Sequence, residues 1–201
     1  QLVPANVLGG SNPIILEQND LKKYQGVKLM LTGGTYRFVA LGNPNTEQES
    51  EVYNVESGNM AEIIVRHPNV LTTAIEGNDP LYLGSKLVEI PDDVNFATKL
   101  RLYSAHNKVS VTVKGYVAED GMGQSALASG GELELRLKDV SSEFDFYIDN
   151  TSAEDQNLAS GEYVEYNPTL TLDKESGWYE SRFNILRHTA TSPLEFEIVE
   201  R

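Results

Sequence analysis

The sequence predicts an all-β protein built as two tandem β-sandwich domains with few short helices. Three observations lead there. Apolar residues alternate with polar ones at period two in most of the patterned stretches, which is the mark of a half-buried strand. Turn-forming Gly, Asn and Pro separate these stretches at short intervals. A Pro-acidic break, Pro91-Asp92-Asp93, divides two strand-rich halves.

The clearest alternation is Lys108-Val109-Ser110-Val111-Thr112-Val113-Lys114, with three Val on one face. Glu132-Leu133-Glu134-Leu135-Arg136-Leu137-Lys138 repeats the pattern with three Leu. One-sided strands of this kind suit antiparallel sheets with one face on the core and one in water. Val109, Val111, Val113, Leu133, Leu135 and Leu137 are therefore expected inside, since a one-residue slip would expose the whole set. Further strands are expected over 27–31, 35–40, 86–90, 99–103, 144–148, 169–172, 181–186 and 194–198.

The punctuation between them assigns the connections. Gly33-Gly34 fits a tight hairpin joining 27–31 to 35–40. Gly42-Asn43-Pro44-Asn45 ends a strand, since Pro has no N–H for a ladder. Gly121-Met122-Gly123 and Ser129-Gly130-Gly131 bracket a connection before the Leu133 strand, and Asn167-Pro168 and Ser192-Pro193 open later ones. Two short helices are expected. One covers Asn19 to Gln25, with Leu21 and Tyr24 on one face. The other covers 54–64, where Ile63-Ile64-Val65 reads equally as a strand. The break at Pro91 sets the expected domains at residues 1–93 and 94–201, with the linker near 91–97.

Charge excludes several classes. The 201 residues carry 16 Lys and Arg against 30 Asp and Glu, a net −14. Nucleic-acid affinity comes largely from clustered cations, so no nucleic-acid partner is expected. Docking on anionic lipid by charge is excluded in the same way. No stretch has the roughly 18 apolar residues of a spanning helix. Without Cys there are no disulfides, thiolate zinc sites, iron–sulfur clusters or Cys nucleophile. The chain opens on Gln1 rather than Met, as expected where a leader or tag has been removed.

The chemistry-bearing residues do not form a signature. His67, His106 and His188 lie far apart, with no HxH or HExxH spacing, and read as solvated or turn-capping imidazoles. Ser110 and Ser141 sit in or beside strands without an adjoining His, and no GxSxG is present. The carboxylate pairs Asp92-Asp93, Glu119-Asp120 and Glu154-Asp155 do not have EF-hand spacing and read as solubilising charge on turns. Leu8-Gly9-Gly10 lacks the Lys-Ser/Thr of a phosphate loop, and the sequon Asn150-Thr151-Ser152 matters only in a eukaryotic secreted chain. Tyr163, Tyr166, Trp178 and Tyr179 fit either a sugar-stacking platform or inter-sheet packing. No catalytic, cofactor-binding or metal-ligating residue is assigned, and no cofactor or enzymatic activity is expected.

Three segments, in order, resemble the FimB-type minor fimbrial subunits of Bacteroides-like bacteria, a fimbrillin-like family. Leu31 to Asn43 (LTGGTYRFVALGN) is similar to that family's first hairpin and strand. Asp79-Pro80-Leu81-Tyr82-Leu83-Gly84 resembles its motif before the domain boundary, and 98–102 with 107–115 resembles the strand pair that opens its second domain. The ending, 181–183 and 194–198, is compatible with its last two strands. Leu41 stands where the family often has Trp. The family also carries a lipid-attached Cys and about two strands ahead of the hairpin, whereas Gln1 to Met30 has no Cys and weak strand character.

The resemblance implies transthyretin-like or immunoglobulin-like Greek-key sandwiches on the cell surface, at the outer membrane. It implies an anchor, length-terminating or accessory subunit of a fimbrium, with no catalytic residues. Its partners would be other fimbrial subunits joined by β-strand addition, and its membrane contact a lipid anchor outside this chain. A surface glycan-binding β-sandwich module is the alternative, carried by Trp178 and the nearby Tyr residues. If the leading strands are missing, the first sandwich has an open edge for a partner's strand; Leu2-Val3 or Ile14-Ile15-Leu16 would otherwise fill it from within.

Overall fold

The computed structural model describes residues 3–4, 14–23, 26–44, 48–55, 62–92, 95–114, 133–145, 160–188 and 194–200. Among these the chain is almost wholly β. In order come β1 (Val3–Pro4), α1 (Gln18–Lys23), β2 (Val27–Lys28), β3 (Gly34–Gly42), β4 (Glu51–Tyr53), β5 (Ile64–Arg66) and β6 (Tyr82–Ile90). Then follow β7 (Tyr103–Ser104), β8 (His106–Val113), β9 (Leu133–Asp145), β10 (Ser160–Tyr166), β11 (Thr171–Asp173), β12 (Trp178–Leu186) and β13 (Glu195–Glu200).

Alternation places the expected faces. Leu133, Leu135 and Leu137 are buried on β9. Val109, Val111 and Val113 are half-buried on β8, while Lys108, Ser110 and Thr112 between them are exposed. Among the described strands β8 is the outer one of its sheet, β11-β12-β8, and its Val face is less covered.

Two apolar clusters fill the sandwich. The first joins Val65, Leu81, Leu83, Ala105, Phe144 and Leu186, with Val39, Leu41 and Val52 packed against it. It lies between the β3-β6-β7 sheet and the strands β4 and β5. The second joins Val70, Ile75, Leu137, Val140, Tyr166 and Ile185, with Val109 and Phe183 against it. It lies between β11-β12-β8 and the β9-β10 part of the other sheet.

The strands on the two sides of the 91–97 break do not sort into separate sheets. β5 pairs with β9, Val65 opposite Phe144 and Arg66 opposite Glu143. One sheet thus runs β10-β9-β5-β4, with β13 also on β9. Its continuity comes from β9, which spans 13 residues where the sequence pattern gave one strand ending at Lys138 and another starting at Phe144. Leu137 is opposite both Phe196 and Tyr166, and Glu143 is opposite both Ser160 and Arg66. So β10 lies along one edge of β9, and β13 and β5 follow each other along the other. Between them Asp139 adopts a positive φ of 60°, a local irregularity of the kind that re-aims a strand. β9 therefore carries Leu137 and Val140 into the second cluster and Phe144 into the first. The Arg66–Glu143 ion pair at 3.3 Å, with the Arg66 guanidinium 4.7 Å from the Tyr53 ring centroid, lies along the same β4-β5-β9 seam.

Other local expectations change. Gly33-Gly34 does not make a hairpin. β2 pairs in parallel with β1, Val27 opposite Val3, and β3 pairs with β6. Gly34 has φ 152° and opens β3 opposite Ile90. Residues 99–102 are not strand, and β7 is only Tyr103–Ser104. Ile64–Arg66 is strand rather than helix, the ladder with β9 deciding between two locally equal readings. Helix α1 is present but contributes no buried residue, and Leu21 is 61% exposed. Tyr24, residues 56–61, the glycines of 121–131, residues 146–148, the sequon and Ser192-Pro193 lie outside the described residues.

Candidate functional site

The three segments that carry the resemblance meet at one junction. β3 lies along β6 in antiparallel register from Gly34 opposite Ile90 to Gly42 opposite Tyr82. Just beyond it Asn43, at φ 60°, donates its amide to the Pro80 carbonyl at 3.2 Å. Asp79 is fully buried. Its carboxylate accepts the Gln48 N–H at 2.9 Å and the Ser50 N–H at 2.8 Å, and its own N–H donates to Ser50 Oγ at 3.3 Å. A buried carboxylate is tolerated where hydrogen bonds replace its hydration. The Leu81 carbonyl accepts from two donors, the Ala105 N–H at 2.9 Å and His106 Nδ1 at 2.8 Å. Since that carbonyl only accepts, the His106 proton sits on Nδ1. The Arg187 N–H donates in turn to the Ala105 carbonyl at 2.9 Å. Leu81 and Leu83 fill the first cluster, so the Asp79–Gly84 motif is a structural knot.

The histidines differ from the sequence expectation. His67 and His106 are buried rather than solvated, at 8% and 6% exposure. His106 belongs to β8, not a turn. His67 does cap a turn, its Nδ1 accepting the Asn69 N–H at 3.1 Å. Among the described residues no three His, Asp or Glu side chains converge as a metal would need. Ser110 is exposed on β8 and Ser141 is buried on β9. Asp92 is exposed, and Asp93, Glu119-Asp120 and Glu154-Asp155 lie outside the described residues.

Burial holds the His67 imidazole below its ordinary pKa of 6.5, against the opposing pull of Glu49, Asp79 and Glu51. The unfolded chain then takes up this proton first as the pH falls, so folding is weakened between 6.5 and the lower folded value. An NMR titration should place the His67 midpoint below 6.5; a midpoint at or above that value would contradict its buried setting.

The four aromatics do not form one platform. Tyr166 is fully buried in the second cluster, and its hydroxyl bonds the Asn78 side-chain amide. Burial raises its pKa well above the usual phenol value. Tyr163 is 64% exposed on β10. Trp178 belongs to β12 in the other sheet, with the Lys114 ammonium 3.9 Å from its ring centroid. Packing wins at Tyr166, and cation–π contact occupies one face of Trp178.

What the surface offers instead is strand edge. β8 pairs with β12 along its whole length, from His106 opposite Leu186 to Val113 opposite Tyr179. Among the described residues its other edge meets no strand. Among the described strands β13 is also an outer one, and its Phe196 and Ile198, opposite Leu137 and Leu135, are each 47% exposed.

Stacked sheets packed on two apolar clusters define a β-sandwich protein. The chain belongs to the family of fimbrillin-A associated anchor proteins Mfa1 and Mfa2, whose model matches residues 11–201. Membership makes it a fimbrial component of the cell surface. A crystal structure of a candidate adhesin from Bacteroides ovatus is similar in fold, with a TM-score of 0.52 and 16% identity over 84% of this chain. The match covers 51% of that protein, so this chain spans about half of its length. A second candidate adhesin from Bacteroides ovatus ATCC 8483 has a TM-score of 0.41 and 16% identity, covering 84% of this chain and 64% of the other. No curated protein matches the sequence.

Proposed function

We propose that this chain is an anchor or accessory subunit that joins its fimbrial neighbours by β-strand addition at the open edge of β8. Family membership supports the fimbrial role. The observation that carries the mechanism is β8 itself, eight residues laddered, among the described residues, on one edge only. An unpaired edge offers a row of N–H and C=O groups to an incoming extended segment. The half-buried Val109, Val111 and Val113 supply apolar contacts at every second residue, which set the register of an added strand. Lys108 and Lys114 flank them and are exposed. Edge lysines discourage indiscriminate pairing and favour a donor with carboxylates opposite them. The edge expected near Gly33 is a weaker candidate, because Val3 already pairs with Val27 within the chain. Attachment to the outer membrane through a lipid outside this sequence belongs to the same reading. So does a purely structural role, supported by the engagement of His67 and His106 with backbone groups.

The test is hydrogen exchange on β8 amides, alone and after reconstitution with fimbrial subunits of the same bacterium. The expected result is a stable complex in which residues 107–113 become protected. Failure to form any complex with those subunits would reject the fimbrial assignment. A complex that leaves β8 exchange unchanged would reject this edge as the joint.

A further inference from the structure

Two strands lie at the margins of the second sandwich, β8 in one sheet and β13 in the other. Among the described residues each is laddered on one edge only, β8 to β12 and β13 to β9. Their charges are opposite. Lys108 on β8 and Lys114 just past its end are both exposed, on either side of Val109, Val111 and Val113. β13 reads Glu195-Phe196-Glu197-Ile198-Val199-Glu200, with Glu195 and Glu200 exposed and Glu197 partly so. A pair of cations flanking one edge is notable in a chain with 16 Lys and Arg against 30 Asp and Glu.

Both strands also leave apolar surface uncovered. Phe196 and Ile198 share a sheet face with Leu137 and Leu135, which are fully buried, yet are each 47% exposed themselves. Among the described residues, the cover that reaches β9 therefore stops short of β13. Val109, Val111 and Val113 are likewise only half-buried on β8. Lys114 is held at its edge by the Trp178 ring, with the ammonium 3.9 Å from the centroid, and Glu197 by Lys138, 2.9 Å from Oε2. The ionic groups thus keep to the outward side of each strand, and the apolar ones to the side facing the sandwich interior.

Two copies that met through the same edge would bring like charges together. An antiparallel β8–β8 pair centred on Val111 sets Lys108 of one copy opposite Lys114 of the other. A β13–β13 pair with Phe196 opposite Ile198 sets Glu197 opposite Glu197. Like charges directly opposite are destabilising. β8 against β13 has no such conflict. In antiparallel register, with Phe196 opposite Val111 and Ile198 opposite Val109, Glu195 is one diagonal from Lys114 and Glu197 one diagonal from Lys108, a separation that long side chains span. The whole of β13 then lies against residues 107–112, inside the length of β8. We infer that the strand accepted by β8 is β13 of a second copy of this chain, joined edge to edge so that each strand stays in its own sheet. This rests on strand addition at β8 and names its occupant. Because the two edges differ, the contact is head-to-tail. Each copy keeps one edge for the next, and association continues into a filament unless the rotation closes a ring.

The experiment is sedimentation and hydrogen exchange on the full chain at rising concentration, with two charge-reversed variants. The parent should form oligomers that weaken as salt is added, and the amides of 107–112 and 195–200 should gain protection together. Lys108→Glu with Lys114→Glu, and Glu195→Lys with Glu197→Lys, should each weaken self-association about tenfold or more, since reversal turns two attractions into repulsions. Melting temperatures check that both variants fold. If loss of the Lys138 pair unfolds the second, Glu195→Lys alone replaces it. Mixed in equal amounts, the two variants should associate as the parent does, because each then meets an edge of opposite charge. A parent that stays monomeric up to millimolar concentration overturns the inference. So do oligomers that protect only one of the two strands, and folded variants whose mixing restores nothing. Protection of β8 by another fimbrial subunit, in a chain that is monomeric by itself, would leave strand addition standing and reject this occupant alone.

Discussion

Phe144→Ala should destabilise the entire chain by about 3–5 kcal/mol, the usual range for removing a fully buried Phe. Phe144 has no exposed surface and packs in the first cluster, with Val65 directly opposite on β5. The same strand began 11 residues earlier, at Leu133, beside β13 and the second cluster. The lost side chain therefore weakens the join between the two groups of sheets as well as one core. Unfolding in urea should remain a single transition, shifted equally in two readouts. One is the fluorescence of Trp178, which sits on β12; the other is the exchange of β3 and β6 amides. Two separated transitions, with the Trp178 signal unmoved, would show that the sheets fold independently and that the β5–β9 pairing does not couple them.

Gly84→Ala is expected to destabilise by about 3 kcal/mol, at the upper end for overpacking. A Cβ at Gly84 would stand 2.0 Å from the Arg101 carbonyl oxygen and 3.0 Å from its carbon. Those are backbone atoms, so relief requires moving residues 99–102 away from β6 rather than turning a side chain. Lys86 holds the same segment, its ammonium bonding Thr98 Oγ1 at 2.6 Å and the Lys99 carbonyl at 3.3 Å. Gly177→Ala is the control. Nothing lies within 4 Å of the added carbon, but φ is 70°, so only the ordinary cost of a left-handed alanine applies, about 1 kcal/mol. Chemical denaturation of both variants gives the comparison. A Gly84→Ala protein as stable as Gly177→Ala would mean that 99–102 does not rest on β6.

Much of the fold was legible because alternation is a local property. Side chains on a strand change face at every residue whatever the strand's partner. Reading Leu133, Leu135 and Leu137 as buried needed no knowledge of the neighbour. The resemblance of 31–43 and 79–84 to a fimbrial family was legible too, and the family match bears it out. The roles of Asp79 and Asn43 were not, since their partners at Gln48, Ser50 and Pro80 lie 29 to 37 residues away. Asn78 drew no notice because an isolated Asn beside Asp and Pro has the composition of any turn. Only its contact with Tyr166, 88 residues on, marks it.

The sequence by itself determined an all-β, acidic, Cys-free chain, the faces of its clearest strands and the family it resembles. Period, composition and motif order require no pairing information. Tertiary structure alone decided which strands meet: β2 with β1 instead of β3, β5 with β9 across the Pro91 break, and 144–145 as the continuation of β9 rather than a new strand. Pairing is a competition for burial among distant segments, and loop closure costs grow only slowly with separation. A three-residue strand such as Ile64–Arg66 therefore goes where Phe144 offers a dry surface, whatever its neighbours in sequence suggest.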